Sequence, residues 1–265
     1  MNILVLIKQV PLPKEMKTTQ EGFMARTGVR SIMNPYCKHA LEEALRFREQ
    51  TGGKCTVLAM GPPSFEQSLK EALSMGADDA YLLTDRRLAG SDTMATAQAL
   101  SRAIKSIEQK FDIVFAGIQT IDGDTGHVGP QVAERIGYPQ ITYADQVIDK
   151  GGTIQVRRIT EHGFEIVESG YPILVTVTKY ANVPRGPRLK HAIRARNYDI
   201  KTLNIDDIGL SEEDAGITGS PTIVSKVRNV DFDRPPCHLL DGNTAEEKVD
   251  RLIEFLKLNP HREVA

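Results

Sequence analysis

Residues 111–140, FDIVFAGIQTIDGDTGHVGPQVAERIGYPQ, contain a complete strand, loop and helix. Phe111, Ile113, Val114 and Phe115 supply the β-branched and aromatic side chains expected of a parallel strand covered on both faces. The small residue Gly117 ends this strand, and an acidic, glycine-rich loop follows. Thr125 is expected to cap the next helix, which Gly137 closes. Open α/β sheets usually bind phosphate on a loop that joins the carboxyl end of a strand to a helix.

The charge of this loop leaves its role open. Asp122 and Asp124 would repel a phosphate, so we expect their carboxylates to brace the turn by accepting neighbouring N–H groups. The expected phosphate donors are the Thr125 hydroxyl and the backbone N–H groups of Gly123, Thr125, Gly126 and His127. The residues alone favour a phosphate loop and a plain helix-capping loop about equally.

The composition excludes several classes of function. The 33 Lys and Arg residues are balanced by 35 Asp and Glu residues, so no strong field selects nucleic acid or a membrane surface. No apolar run approaches the ~20 residues that span a bilayer. The start of the chain, MNILVLIK, predicts a buried strand rather than a signal peptide. Cys37, Cys55 and Cys237 lie far apart and favour reduced thiols. We therefore expect a cytoplasmic protein without a metal site.

The alternation of strand and helix patterns predicts a doubly wound, Rossmann-like parallel sheet of the adenine-nucleotide-binding type, in the α/β class. The expected strands are residues 3–7, 55–60, 79–83 and 111–116. Helices are expected after each of Asn34-Pro35, Pro62-Pro63, Asp92 and Asp124.

The second half of the chain predicts a different organisation. Strand patterns at 141–148, 153–159, 164–169 and 173–178 predict an antiparallel hairpin extension, with glycine turns at Gly151-Gly152 and His162-Gly163. Residues 184–191 predict a basic, proline-rich loop. A short strand at 222–228 and an amphipathic helix at 244–258 follow. We predict an α/β domain over 1–200 and a C-terminal arm over 201–265 that packs on a partner.

Motifs spread along essentially the whole chain together resemble the β subunit of electron-transfer flavoproteins. They are Lys8-Gln9-Val10-Pro11, Asn34-Pro35-Tyr36-Cys37, Met75-Gly76-Ala77-Asp78, the loop 117–130, and Val156-Arg157-Arg158 with Glu161, Glu165 and Pro172-Ile173-Leu174-Val175-Thr176. The resemblance implies a heterodimer with a larger α subunit, which carries a mobile flavin domain. The arm is expected to pack on that subunit.

The resemblance also implies a cofactor in the 1–200 domain. In this family the β subunit holds either a structural AMP or, in electron-bifurcating members, FAD, and the α subunit carries a second FAD. The loop from Asp122 to Pro130 resembles the bifurcating type, so we expect FAD, with AMP as the alternative. The residues implied in cofactor binding are Leu6, Asn34, Pro35, Tyr36, Cys37, Met60, Gly117, Ile118, Gln119, Thr120, Ile121, Asp122, Gly123, Asp124, Thr125, Gly126, His127 and Val128.

For function, the resemblance implies electron transfer from NADH through the β-bound FAD. One electron would pass through the α flavin to a flavin-dependent acyl-CoA or 2-hydroxyacid dehydrogenase, and the other to ferredoxin or flavodoxin. The isoalloxazine supplies the redox chemistry, so no catalytic acid–base residue is expected. Leu189 aligns with the leucine that inserts into the partner dehydrogenase, and Arg185, Arg188 and Arg194 would form a charged rim around it.

Two other classes of protein are compatible with the same predicted fold. An ATP-cleaving enzyme would need a basic residue that grips phosphate, and only Lys8 qualifies. A nucleotide-sensing module of the universal-stress type would need neither the Leu189 loop nor the C-terminal arm. A yellow αβ complex would exclude both classes, because neither requires a flavin.

Overall fold

The structure is a computed structural model that describes residues 1–12, 30–225, 237 and 239–258. The strands in these ranges are β1 Asn2–Ile7, β2 Gln9–Pro11, β3 Ser31–Met33, β4 Lys54–Met60, β5 Asp79–Leu83, β6 Ile113–Gly117, β7 Gln140–Asp149, β8 Thr153–Thr160, β9 Gly163–Gly170, β10 Ile173–Val177 and β11 Lys201–Leu203. The α-helices are α1 Pro35–Thr51, α2 Glu66–Met75, α3 Thr93–Ser106, α4 Val128–Ile136, α5 Leu189–Arg196 and α6 Ala245–Leu258.

Within the described residues, the main sheet has the strand order β11-β5-β4-β1-β6-β10-β7-β8-β9. All neighbours from β11 to β7 pair in parallel. The strand order reverses direction around β1, and helices cover both faces. This arrangement confirms the doubly wound α/β fold, and it places the carboxyl ends of β1 and β6 side by side.

The two faces of the sheet separate the helices into two layers. Alternate residues of β1 point to opposite sides: Ile3 and Val5 pack in one buried cluster and Leu4 and Leu6 in the other. The first cluster includes α1 and α2 residues, and the second includes α3 and α4 residues. Because β1 is buried on both faces, its sequence is uniformly apolar, which is why the pattern identified it.

The antiparallel extension is smaller than predicted. β8 pairs antiparallel with β7 and with β9, whereas β10 lies between β6 and β7 and is parallel to both. The prediction of four antiparallel strands across 141–178 was therefore wrong for β10. All five residues of β10, ILVTV, are buried, and a continuous apolar run is typical of a central parallel strand.

The chain beyond residue 200 divides differently from the prediction. The first compact unit is Met1–Val227 and the second is Arg228–Ala265. Residues just after 200 belong to the first unit, since β11 pairs with β5 and Ile205 and Ile208 are buried in the cluster with α3. Residues 222–225 form no strand, and the rest of the strand predicted at 222–228 lies outside the described residues. The predicted C-terminal helix is confirmed as α6.

The region between β1 and α1 begins with β2 and ends with β3, and these two short strands form a separate two-stranded sheet. β2 pairs antiparallel with β3. The stretch 13–29 lies outside the described residues. The β2–β3 pairing brings the start of α1 next to the end of β1, where the Asn34 N–H donates to the Lys8 carbonyl at 2.8 Å.

Candidate functional site at the carboxyl ends of β1 and β6

The loop 118–127 joins β6 to α4 at the carboxyl edge of the sheet. It starts on the sheet, because the Ile118 N–H donates to the Val177 carbonyl of β10 at 3.0 Å. Thr125 does not cap α4, contrary to the prediction. The helix begins at Val128, with His127 at the N-cap position and no capping side chain. Gly137 ends α4 in the left-handed conformation, as predicted.

Asn34 holds the first half of this loop from the start of α1. Its side chain is fully buried. The amide Nδ2 donates to the Gln119 carbonyl at 2.8 Å, and Oδ1 accepts from the Ile121 N–H at 3.2 Å. One amide therefore satisfies two backbone groups of an irregular segment that would otherwise lack partners. The residue that precedes α1 thus determines the path of the loop after β6.

Two glycines allow close backbone contacts around the loop. A Cβ on Gly117 would lie 2.7 Å from the Tyr36 carbonyl carbon and 2.9 Å from the Cys37 nitrogen. A Cβ on Gly129 would lie 2.8 Å from the Thr176 methyl. The first glycine lets α1 approach β6, and the second lets α4 approach β10. Both glycines therefore serve protein packing.

Asp122 pairs with Lys8, which follows directly after β1. The Lys8 Nζ donates to both carboxylate oxygens of Asp122, at 2.7 and 2.9 Å. The Asp122 side chain is only 5% exposed. Burial opposes ionisation of this carboxyl, but the Lys8 ammonium outweighs it and holds the pKa of Asp122 below its ordinary value. Lys8 thus neutralises Asp122 from across the site, and hydrogen bonds from the neighbouring Thr120 side chain and the Asp122 N–H also stabilise its carboxylate.

The second half of the loop presents backbone donors to solvent. Asp124 and Gly126 have positive φ angles, 54° and 67°, a left-handed geometry that makes anion-binding concavities of successive N–H groups. Within the described part of the chain, the N–H groups of Gly123, Thr125 and Gly126 have no protein hydrogen bond. The His127 N–H lies 3.5 Å from the Thr125 hydroxyl oxygen. Exposed, unpaired donors next to the start of α4 fit the phosphate groups of a nucleotide.

Cys37 is a packing residue of this site. The thiol is buried against the core, and burial raises its pKa despite the Asn34 amide that donates to the sulfur at 3.3 Å. The thiol therefore stays protonated at neutral pH, which argues against a reactive thiolate at the start of α1.

The remaining residues expected to bind a cofactor surround this loop. Leu6 is buried in the same cluster as Ala116, its register partner in β6, and Met60 and Val128 pack partly buried against that cluster. Tyr36 is half-buried where α1 meets Gly117. The structure brings all these residues to one edge of the sheet, and their contact with a cofactor stays a prediction. Lys8 was missed as a site residue, although a lone basic residue directly after β1 was a visible signal.

The second predicted region lies around Leu189, between Pro184 and Arg194; extended to the end of α5, it forms the docking segment, residues 184–196. Arg185 lies in it but does not behave as a free rim residue. Its guanidinium binds Glu42 and Glu49 of α1, with Nε 2.8 Å from the Glu42 carboxylate, and its side chain is 18% exposed. These ion pairs anchor the segment onto α1. A contact between Arg185 and a partner stays a prediction.

The rest of the docking segment combines exposed apolar and basic groups. Leu189 opens α5, so the predicted loop is helical from this residue onward. Leu189 is 79% exposed and Ile193, one turn later, is 59% exposed. Arg188 is exposed on one side of this pair, and the Arg194 guanidinium donates to the Ala77 carbonyl. The structure therefore shows an exposed apolar pair with one exposed arginine beside it in sequence, and the docking role predicted for the segment stays a prediction.

Comparisons with known proteins identify the family of this chain. The electron transfer flavoprotein domain family matches residues 22–208. The electron transfer flavoprotein subunit beta of Thermoanaerobacterium thermosaccharolyticum is 48% identical over 258 residues, which cover 97% of this chain and 98% of the relative. Protein FixA of Azorhizobium caulinodans is 44% identical over 86% of this chain and 84% of its own length. The caffeyl-CoA reductase-Etf complex subunit CarD of Acetobacterium woodii is 40% identical, with 97% and 98% covered.

The parallel sheet and the loop at its carboxyl edge define a Rossmann-like α/β protein. The matches narrow this class: the chain belongs to the electron transfer flavoprotein family, among its β subunits. This membership replaces the ATP-cleaving and nucleotide-sensing alternatives. No cluster of potential metal ligands occurs among the residues that the structure describes. In the same residues, every helix is too short or too polar to cross a lipid bilayer.

Proposed function

We propose that this chain is the β subunit of a heterodimeric electron-transfer flavoprotein and that it binds FAD at the loop 117–128. The chain would receive electrons from NADH and pass them to a partner flavin dehydrogenase and to ferredoxin or flavodoxin. When bound, FAD supplies the hydride and one-electron chemistry. The chain's own residues bind and orient it, and no catalytic acid or base is proposed.

The observation that carries this proposal is the group of unpaired N–H donors at Gly123, Thr125 and Gly126 in the described structure. They lie on a loop whose path is fixed by Asn34, so the donors need little rearrangement on binding. The paired charge of Asp122 removes the main electrostatic objection to a diphosphate at this loop. An FAD diphosphate carries two adjacent phosphates, which suits several successive donors.

The surfaces outside the loop support a subunit role. On α6, Val249, Leu252, Ile253 and Leu256 recur at helical spacing and are 42–52% exposed within this chain. Such a stripe favours packing on another polypeptide, and we assign it to the α subunit. The docking segment with Leu189 would meet a flavin-dependent acyl-CoA or 2-hydroxyacid dehydrogenase. The name of the relative CarD, a subunit of a caffeyl-CoA reductase-Etf complex, supports a partner of the acyl-CoA type.

The test is the nucleotide content of the co-purified αβ heterodimer. FAD and AMP are released by denaturation and quantified in the same extract. We expect two FAD and no AMP per heterodimer, and we expect NADH to bleach the flavin absorbance. One FAD and one AMP would contradict the proposal and make this chain the structural half of a simpler electron carrier. A colourless complex with neither nucleotide would contradict nucleotide binding at the loop altogether.

A further inference from the structure

Lys8 is not among the residues that the family resemblance implies in cofactor binding, yet it joins three parts of the site. Its carbonyl accepts from the Asn34 N–H at the start of α1, at 2.8 Å. Its ammonium reaches across to Asp122 at 2.7 Å. Asp122 directly follows Ile121, whose N–H is held by the Asn34 side chain. Lys8 and Asn34 therefore hold adjacent residues of the loop.

This arrangement addresses the electrostatic problem of an acidic loop that binds an anion. The Asp122 carboxylate is almost fully buried, so water cannot screen its charge from a phosphate at the neighbouring N–H donors. Asp124 differs, because it is exposed and hydrogen-bonded to the Gln119 amide, and solvent screens it. Only the Asp122 charge needs a counter-charge inside the protein, and Lys8 supplies it.

We infer that Lys8 is a positioning residue for nucleotide binding, which acts by neutralising Asp122 and fixing it on the β1 side of the loop. The inference rests on the proposed binding of a phosphate-bearing cofactor at the loop. It assigns a specific effect to Lys8: without it, a buried, unpaired carboxylate lies beside the phosphates. Affinity for phosphate-bearing ligands then falls, while affinity for the nucleoside part changes little.

The experiment uses the αβ heterodimer stripped of the nucleotide of this chain. It is titrated by calorimetry with ADP, which carries a diphosphate, and with adenosine, which lacks phosphate. Lys8→Met should weaken ADP binding roughly 10- to 100-fold, because removal of one partner leaves an uncompensated charge. Adenosine binding should change by less than about threefold. Lys8→Arg, which retains the positive charge, should stay close to the wild-type protein for both ligands.

A double variant separates neutralisation from direct contact. In Lys8→Met/Asp122→Asn both charges are absent, so most of the lost ADP affinity should return. If Lys8 instead held the phosphate itself, the double variant would bind ADP as weakly as Lys8→Met, and the inference would be wrong. Equal losses for ADP and adenosine would also overturn it, because they would indicate general damage to the loop. The double variant also covers the case in which Lys8→Met alone does not fold.

The same titrations distinguish failure of the proposed function from failure of the inference about Lys8. If the wild-type heterodimer bound neither ADP nor FAD at this chain, the proposed function and this inference would both be rejected. If the wild-type protein bound ADP and Lys8→Met bound it equally well, only the inference would be rejected.

Discussion

The loop 117–128, proposed to bind a nucleotide, and the docking segment 184–196 are both irregular or short elements at the surface, and both are held by α1. The start of α1 holds the loop through the Asn34 amide, which binds backbone atoms. The middle of α1 holds the docking segment through Glu42, which binds the Arg185 guanidinium. The loop is thus held through its backbone, whereas the segment is held on α1 mainly through the Arg185 side chain and, in addition, by the Arg185 N–H, which donates to Glu42 at 3.0 Å.

The two regions also differ in the groups that they expose: the loop exposes backbone groups and the docking segment exposes side chains. The loop offers backbone N–H groups, whose positions are set by the fixed backbone and which suit a small anion. The docking segment offers the side chains of Leu189 and Ile193, which suit an apolar pocket on another protein. The comparison teaches that one helix anchors two regions with different exposed groups: at its start the loop proposed to bind a nucleotide, and further along the segment proposed to dock a protein. Mutations should therefore affect the loop mainly through shape and the segment mainly through side-chain contact.

The largest effect on stability is expected from Asn34→Ala. The change leaves the Gln119 carbonyl and the Ile121 N–H without their buried partner, which should lower the unfolding free energy by about 2–4 kcal/mol. Urea unfolding measures this loss, and the nucleotide content of the purified heterodimer should fall with it. The matched control is Asn197→Ala, since the exposed Asn197 side chain makes no hydrogen bond in the described residues. Similar losses in both variants would contradict the role of Asn34.

A second substitution tests the close approach of α1 to β6. Gly117→Ala would place a methyl group 2.7–2.9 Å from backbone atoms of Tyr36 and Cys37, so the unfolding free energy should fall by roughly 1–3 kcal/mol. Gly186→Ala, in the docking segment, is the control, because a Cβ there meets nothing within 4 Å. Thermal unfolding of both variants checks the difference. If Gly117→Ala were as stable as Gly186→Ala, the start of α1 would have to shift at little cost to make room for the methyl group, which would contradict this prediction.

The sequence predicted the regular elements of this fold well. Short, mainly apolar runs located β1, β4, β5 and β6, and the capping residue Asp92 located the start of α3, where its carboxylate accepts from the Ala95 N–H at 2.9 Å. These features depend on residues close in sequence, so local patterns suffice to find them.

The geometry of the site was harder to predict because it depends on distant residues. The bond between Asn34 and Gln119 joins positions 85 residues apart, and the pair of Lys8 and Asp122 joins positions 114 apart. Thr125 had the right chemistry for a helix cap, but these contacts set the path of the loop and α4 starts later. The resemblance to a family supplied the site positions, whereas the partner of Asp122 became evident only in three dimensions.

Loss of the Arg185 side chain, which anchors the docking segment, is expected to have an intermediate effect on stability. Arg185→Ala removes one of two guanidinium groups bound to the buried Glu42, and Arg46 remains, so the unfolding free energy should fall by about 1–2 kcal/mol at neutral pH. Arg188→Ala should change it by less than about 0.5 kcal/mol, because that side chain is exposed.

The effect of Arg185→Ala should also depend on pH. Burial raises the pKa of Glu42, but the Arg185 guanidinium outweighs it and holds this pKa below its ordinary value of 4.5. A depressed folded-state pKa contributes stability above the unfolded pKa, and this contribution is lost as the pH falls through the lower folded value. The difference in unfolding free energy between the wild-type protein and Arg185→Ala should therefore be largest near pH 7 and should shrink below about pH 4. A constant difference across this range would contradict the charge-based role.

The smallest effect on stability, and the clearest contrast with the loop, is expected from Leu189→Ala. Leu189 is 79% exposed, so its truncation removes almost no buried area and should change the unfolding free energy by less than about 0.5 kcal/mol. As the apolar centre of a docking patch, however, it should dominate association: the concentration of heterodimer that half-saturates the partner dehydrogenase should rise about tenfold. Val183→Ala, equally exposed outside α5, should leave that concentration unchanged. Nucleotide content should stay intact in both variants, since the docking segment and the loop are anchored to α1 separately; loss of nucleotide in Leu189→Ala would show that the two regions are coupled.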